Sequence, residues 1–293
     1  MNILITGGLG QLAKALKMNK KKNIYYKYFF TSRKKLDITN YNEVENFIIK
    51  KKINVIINCA AYTDVDNAQI NRKIANKVNN LSVKNLAILS KKYKVLLIQI
   101  STDYVFSSDS IKCFYENDTK SPINYYGLTK LKGENQIFKY KPNSIIIRTS
   151  WLYSEFSNNF VKTIYNLISK GRNIELKNNS YGSPTNANDL AKFIYLTLSK
   201  KYLFLFEKNH VFHYSNFGCI SRYLFIKKII QYSKVGKNIK IIKKLPLDSY
   251  YDIRPTCSCI GSNNLKIIKE LNYNKWDKSL LRCINKIKKN EKN

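Results

Sequence analysis

With 293 residues, 44% of them hydrophobic, the chain can bury a large core and falls outside the disordered class. Its 52 Lys and Arg against 19 Asp and Glu give a formal charge of +33, but the lysines are spread along the whole chain and share A/T-rich codons with the abundant Asn, Ile and Tyr. That spread argues for solvated faces and against a specific nucleic-acid partner, and no apolar run reaches the ~18 residues of a membrane span.

Asn2-Ile-Leu-Ile-Thr6 is a continuous apolar run, the mark of a strand buried on both faces of a parallel sheet. It follows Met1 with no basic n-region, so no signal peptide is expected and the protein is expected to be cytoplasmic, with no membrane partner. The run enters Thr6-Gly-Gly-Leu-Gly-Gln-Leu-Ala13, where Gly7, Gly10 and Ala13 have the spacing of a strand-to-helix turn that lets backbone approach a pyrophosphate. Tyr25 to Phe30 is the next strand. An NAD-binding fold would place an acidic residue near its end, whereas Thr31-Ser-Arg33-Lys-Lys35 offers cations suited to a 2′-phosphate. NADPH is therefore favoured, with NADH the second choice. Asp37-Ile38 follow, then Thr39-Asn40 as a cap for a helix through Ile49.

Val55 to Ile57 forms a third strand leading into Asn58-Cys-Ala-Ala-Tyr-Thr63, and a helical stretch covers about 72 to 92. The fourth strand, Val95 to Ile100, ends in Ser101-Thr-Asp-Tyr-Val-Phe106; the fifth, Ser144 to Ile147, ends in Arg148-Thr-Ser-Trp-Leu-Tyr153. Alternating strands and helices predict an α/β protein with a Rossmann-type doubly wound parallel sheet, whose ligands lie at the strands' carboxyl ends. The expected division is a cofactor-binding domain over 1–150, to which part of 183–215 returns, and a smaller substrate-binding lobe over 151–293. That lobe is expected to hold helices near Asn159–Lys170, Asn188–Lys200, Tyr223–Ser233 and Leu265–Leu271, with loops at 179–185 and 250–255 and a charged, fraying end from Lys286.

The six cysteines are scattered, and only Cys257-Ser-Cys259 stand close together. A C-x-C without a second ligand pair nearby predicts no zinc site and reduced, structural thiols. His210 and His213 are expected to flank a strand in structural roles.

Tyr126 and Lys130, four apart after Pro122, would share one face of a helix. A free phenol has a pKa of ~10, and an ammonium ~4 Å away at an effective dielectric of ~20 would lower it by ~3 units. Such a tyrosine would serve as a general acid near neutral pH.

Together, the Gly7/Gly10 turn, Ser101-Thr102 and Pro122-x-Asn124-x-Tyr126-Gly-x-Thr129-Lys130-x-x-Gly133-Glu134 resemble the extended short-chain dehydrogenase/reductases that act on nucleotide sugars. Ala60-Ala-Tyr-Thr-x-Val65-Asp66, Arg148-Thr-Ser-Trp151, Asn158-Asn-Phe160, Gly182-Ser-Pro-Thr185 and Arg254-Pro-x-x-Ser258 narrow the resemblance to the dTDP-4-dehydrorhamnose reductase family, from residue 7 to 258. The resemblance implies NADPH-dependent reduction of the C4 keto group of dTDP-4-dehydro-β-L-rhamnose, for cell-surface polysaccharide. It implies Tyr126 as proton donor, Lys130 as its electrostatic partner and ribose ligand, and Thr102 as a hydrogen-bond partner of the same carbonyl oxygen. It places Gly7, Gly10, Gln11, Leu12, Asp37, Ile38, Ala61, Tyr62 and Thr63 against the cofactor, where the residue reading already sets Arg33, and Thr102, Asp103, Trp151 and Arg254 against the nucleotide sugar. Where relatives carry a Glu after Val-Asp-x-Ala this chain has Gln69, and their magnesium-linked glutamates correspond to Ala15 and Asn188. Magnesium is not carried over, and a homodimer is left open. A dehydratase would need an Asp-Glu pair after the threonine, but Thr102 is followed by Asp103-Tyr104. An epimerase shares the Tyr126/Lys130 pair, and a noncatalytic regulatory subunit of the same fold would have no need of it.

Overall fold

Strand and helix alternate from the first residues of the chain, and the alternation within each strand decides where the helices go. The computed structural model describes residues 1–20, 26–176, 179–199, 209–235, 239–243, 253–263 and 274–292. The first half runs β1 (Asn2–Thr6), α1 (Gln11–Asn19), β2 (Lys27–Phe30), α2 (Tyr41–Lys51), β3 (Val55–Asn58), α3 (Val65–Ile70), α4 (Arg72–Asn76), a π-turn (Lys77–Leu81), α5 (Ser82–Lys92), β4 (Leu96–Thr102), β5 (Cys113–Phe114), α6 (Tyr125–Tyr140) and β6 (Ser144–Thr149). The second half runs β7 (Leu152–Tyr153), α7 (Phe160–Ser169), β8 (Ile174–Leu176), β9 (Tyr181–Gly182), β10 (Thr185–Asn186), α8 (Ala187–Thr197), β11 (Asn209–His213), β12 (Ile220–Ser221), α9 (Arg222–Ser233), β13 (Ile241–Lys243), β14 (Cys259–Ile260) and α10 (Trp276–Lys292).

Among the described residues the main sheet has six parallel strands in the order β11-β6-β4-β3-β1-β2. Side chains on a strand alternate between faces. Ile3 and Ile5 of β1 therefore pack with Leu12 and Leu16 of α1 and with Leu190 and Phe193 of α8. Leu4 faces the other way, into a cluster with Val44 and Ile48 of α2, Leu86 of α5 and Ile137 of α6. Strand order reverses direction at β1, with β2 on one side and β3 on the other. A crevice opens above the carboxyl ends at such a point. A separate apolar cluster joins α7, α9 and α10 through Ile164, Phe225, Ile229, Leu280 and Ile284. No helix among the described residues is long and apolar enough to cross a membrane.

Four expectations need correction. The stretch from 72 to 92 is not one helix: the π-turn at Lys77–Leu81 interrupts it, and Asn79 there bonds the Tyr62 N–H through Oδ1 and donates from Nδ2 to the Tyr62 carbonyl and the Thr129 hydroxyl. The segment 179–185 contains β9 and β10, which pair with β12 and β7. Residues 286–292 are not a frayed end; they complete α10, whose Leu280, Cys283, Ile284 and Ile287 recur at helical spacing and are buried. Arg282 and Lys286 tie that helix to Asp189 and Glu155 at 2.7 and 2.9 Å. Lastly, the thiols are not all reduced: Cys219 and Cys259 form a disulfide, their Cα atoms 5.5 Å apart. The helix expected at Leu265–Leu271 and the start of the loop at 250–255 lie outside the described residues.

Candidate active site

The crevice is a cavity of about 1030 Å³, and all sixteen residues singled out from the sequence as site candidates line it. All but Arg254, which lies in the segment before β14, lie at or follow the carboxyl ends of five strands or sit in the first two turns of α1 and α6. At one end, β1 turns into α1 through Gly7, which has φ +64° and would place a Cβ 2.8 Å from the backbone nitrogen of Ala60. Only glycine tolerates that conformation and that approach without strain. Gly10 caps α1, followed by Gln11 and Leu12. Gln11 donates to the Leu152 carbonyl at 3.1 Å and accepts from the Ser154 hydroxyl. The amino terminus of α1 thus points its unpaired N–H groups into the cavity, the arrangement that suits a diphosphate.

Beyond β2, Arg33 and Asp37 form an ion pair at 3.5 Å, and the Arg33 side chain is 78% exposed. Asp37 is held below the usual carboxylate range: its partial burial acts upward, and the Thr39 N–H and hydroxyl and the Arg33 guanidinium outweigh it. Ile38 lies beside the pair, while Ala61, Tyr62 and Thr63 form the opposite lip after β3. Asn79 holds Tyr62 in place by the two hydrogen bonds described above.

The other end is built by α6. Asn124 caps it, accepting from Gly127 N–H at 2.8 Å and donating to the Ile253 carbonyl at 3.0 Å. Gln69, in place of the expected Glu, accepts from the Tyr125 N–H at 2.8 Å. A Cβ on Gly127 would overlap the Tyr104 carbonyl, so glycine lets α6 lie against the turn that follows Thr102. The Tyr126 phenol and the Thr102 hydroxyl face the same cavity, close enough for the hydroxyl to act on the phenol. Burial raises the Tyr126 phenol above its ordinary range; the Thr102 contact opposes this, and the charges of Asp103 and Tyr104 add to it. The expected lowering by Lys130 is not found. The Lys130 ammonium instead donates to the Ile100 carbonyl at 2.7 Å. Burial brings its own pKa down to about 8, against the opposing charge of Glu134.

Asp103 is buried, and its carboxylate is already occupied. Oδ1 accepts from the Thr102 hydroxyl at 3.1 Å, and Oδ2 accepts from Ser150 at 2.8 Å and Ser258 at 2.6 Å. Burial lifts its pKa to about 6 in spite of these three donors. Trp151, with φ 42°, projects from the end of β6 over the far wall. Arg254 pairs with Asp66 at 2.9 Å at the rim.

Several residues of this site were not singled out from the sequence. Arg222 lines the cavity, its guanidinium 4.1 Å from the Trp151 ring and 4.7 Å from the Phe160 ring. Ser150 and Ser258 hold Asp103, and Asn79 braces the Tyr62 lip. Ser150 and Ser258 belong to the Arg148-Thr-Ser-Trp151 and Arg254-Pro-x-x-Ser258 motifs; no local pattern marks Arg222 or Asn79. Beneath the site, Glu134 receives a two-pronged contact from the buried Arg148, with Nη2 to Oε2 at 2.7 Å and Nε to Oε1 at 3.0 Å, and so ties α6 to β6.

Comparison with known proteins supplies the context for this geometry. The family profile described as RmlD substrate binding domain matches residues 1–289. The dTDP-4-dehydrorhamnose reductase of Aggregatibacter actinomycetemcomitans is 31% identical over 283 residues, 95% of this chain and 96% of that protein. The crystal structure of dTDP-4-dehydrorhamnose reductase from Bacillus anthracis in complex with NADP superposes with a TM-score of 0.88 at 33% identity, covering 97% of this chain and 99% of the other. The Clostridium acetobutylicum dTDP-4-dehydrorhamnose reductase ortholog gives the same TM-score, 0.88, at 33% identity, with 98% and 100% coverage. A dTDP-glucose 4,6-dehydratase from Bacillus anthracis, at 19% identity and TM-score 0.80, shares the fold.

Proposed function

The chain belongs to the RmlD substrate binding domain family of nucleotide-sugar reductases, and from that premise we propose that it reduces the C4 keto group of dTDP-4-dehydro-β-L-rhamnose to give dTDP-β-L-rhamnose, with NADPH as preferred reductant. The observation that carries the reading is the meeting of Thr102, Tyr126 and, one helical turn on, Lys130 in the same cavity as the glycine turn at Gly7 and Gly10.

The residues present fit the dinucleotide. A Cβ at position 7 would fill the space beside Ala60, the α1 terminus offers N–H donors, and Arg33 supplies a cation where a 2′-phosphate would sit. Gly7, Gly10, Gln11 and Leu12 would hold the diphosphate, Arg33, Asp37 and Ile38 the adenosine end, and Ala61, Tyr62 and Thr63 the nicotinamide side. Bound there, NADPH supplies the hydride that the keto carbon takes up.

Tyr126 is the proton donor. Its raised pKa keeps the phenol protonated at neutral pH, and the oxygen it faces becomes strongly basic as the carbonyl is reduced, so transfer is favourable only when it is needed. Thr102 orients the phenol and the carbonyl oxygen by hydrogen bonding. Protonated Lys130 lies one turn along α6 and stabilises the phenolate that the transfer leaves. Asp103 acts on this pair through Thr102, since its carboxylate is satisfied by three hydroxyls. Trp151 gives the sugar an apolar wall, and Arg222 and Arg254 offer guanidinium groups to its diphosphate.

The test is incubation of the purified protein with the keto sugar nucleotide and NADPH. Loss of reduced-nicotinamide absorbance with formation of dTDP-rhamnose is the expected result. No consumption with authentic substrate, while a known reductase consumes it, overturns the reading.

A further inference from the structure

Three sulfur atoms stand together at a place the reductase chemistry does not use. The Sγ atoms of Cys219, Cys257 and Cys259 all lie within 4.8 Å of one another. Cys219 and Cys259 are joined, and Cys257 beside them is a free, buried thiol. Short pairings assemble the group from distant segments. Residues 220–221 lie antiparallel to β9, Cys257 bridges both Ser108 and Tyr181, and β14 runs beside β5 from Cys259 onward. In an extended segment, residues two apart face the same way and the one between faces the opposite way. Cys257 and Cys259 accordingly meet Cys219, while Ser258 turns to the active site and donates to Asp103 Oδ2 at 2.6 Å. The other oxygen of that carboxylate accepts from Thr102.

We propose that Cys219, Cys257 and Cys259 form a thiol–disulfide exchange site that takes a dithiol as its redox partner, and that its state is passed to Thr102 through Ser258 and Asp103. The second half of this proposal rests on the reductase reading; the first half does not.

Burial sets the order of events. Cys219 is partly exposed, whereas Cys257 and Cys259 are buried. A thiolate of the dithiol therefore attacks the sulfur of Cys219. A mixed disulfide forms there as the bond to Cys259 breaks, and Cys259 leaves with the electron pair and takes up a proton. The partner's second thiol then displaces Cys219, which takes the other proton. Two electrons and two protons have passed to the protein, and the partner departs as its own disulfide. Cys257 adds an internal branch: its thiolate can attack Cys219, forming a 219–257 bond and releasing Cys259 with no net oxidation. A disulfide that only braced the fold would have no such second pairing. Because Ser258 lies between the two exchanging cysteines, changing the bond moves the hydroxyl that donates to Asp103.

The full chain should be incubated with reduced or oxidised dithiothreitol, quenched in acid, alkylated and mapped by mass spectrometry. The oxidised protein should show the 219–259 bond and the reduced protein should lose it. Oxidised Cys259→Ser should show a 219–257 bond in its place. If that variant does not fold, partially reduced wild type should show the same pairing as a minor species. Alkylation of both Cys219 and Cys257 in oxidised Cys259→Ser, or their absence as a pair during partial reduction, overturns the exchange site. So does isolation of the protein with stoichiometric zinc on three protected thiols. For the link to the active site, oxidised and reduced wild type should differ in kcat by about fivefold, the value of one ordinary hydrogen bond. Ser258→Ala should abolish that difference, and equal kcat in the two states of the wild type overturns the link. A protein without reductase activity would fail the earlier proposal while leaving the thiol map to decide this one.

Discussion

Lys130 donates its Nζ proton to the carbonyl oxygen of Ile100 at 2.7 Å, so the cation of α6 is anchored to the end of β4. Buried there, it has a pKa of about 8, and it loses its charge as the pH rises through that value. NADPH affinity and kcat/KM should both fall above pH 8 if the charge serves the cofactor ribose and the phenolate. Lys130→Arg stays charged and should shift the falling limb to higher pH. Fluorescence titration of NADPH on either side of pH 8 is the measurement, and a flat profile for wild type would count against this role.

Tyr126→Phe should lower kcat by ~10²- to 10⁴-fold, the usual worth of a positioned proton donor. NADPH affinity and the circular dichroism spectrum should remain close to wild type. Thr102→Val keeps the phenol but removes the hydroxyl that faces the same cavity, and a smaller loss, about tenfold, is expected. A Tyr126→Phe enzyme with near-normal turnover would show that some other group supplies the proton.

Arg33 discriminates between the two dinucleotides if the cation after β2 meets a 2′-phosphate. Arg33→Ala should raise KM for NADPH by about tenfold, the loss of one charge-assisted hydrogen bond, with little change for NADH. Parallel KM measurements with both reductants decide it. Equal effects on the two would assign Arg33 to the shared part of the cofactor or to the surface.

Arg222 lies over the rings of Trp151 and Phe160. Arg222→Leu should raise KM for the nucleotide sugar more than it lowers kcat, and leave NADPH binding unchanged. Steady-state kinetics with the sugar varied at saturating NADPH separates the two. A pure kcat effect would move Arg222 away from substrate binding.

His213 makes stability depend on pH. Its ring is buried; burial, with the Arg148 charge acting the same way, overcomes the pull of Glu116 and lowers the pKa from 6.5 to about 4. Nε2 faces Arg148 Nη1 at 3.2 Å and Nδ1 faces the Gly261 carbonyl at 2.9 Å, which fits a neutral ring. The unfolded chain binds this proton near pH 6.5 and the folded chain only near pH 4. The contribution is therefore complete above pH 6.5 and is lost as the pH falls through that window, by as much as ~3 kcal/mol. Urea unfolding at pH 7 and pH 5 should show a steeper decline for wild type than for His213→Gln. Parallel declines would locate the acid sensitivity elsewhere.

What could be read from the sequence was local. The glycine turn, the strand ends and the Tyr126/Lys130 spacing each lie within a few residues, and the fold gathers all of them into one cavity. Arg222 and Asn79 carry no local signal because their importance comes from partners far along the chain, Trp151 for one and Tyr62 for the other. The same distance hid the disulfide, since C-x-C at 257 and 259 meets Cys219 only after the small sheets form. The end of α10 is masked for another reason: its many charges surround the buried Leu280, Cys283, Ile284 and Ile287. The Tyr126 pKa is raised because the phenol loses its water on burial, which the spacing of Tyr126 and Lys130 does not show.

A Cβ at position 182 would run into the indole of Trp151. The two sites therefore constitute a single steric choice, and evolution should treat them as one. Homologous chains bearing a larger residue at 182 should have surrendered the tryptophan at 151, and the sugar specificity of this branch should drift wherever that exchange has happened.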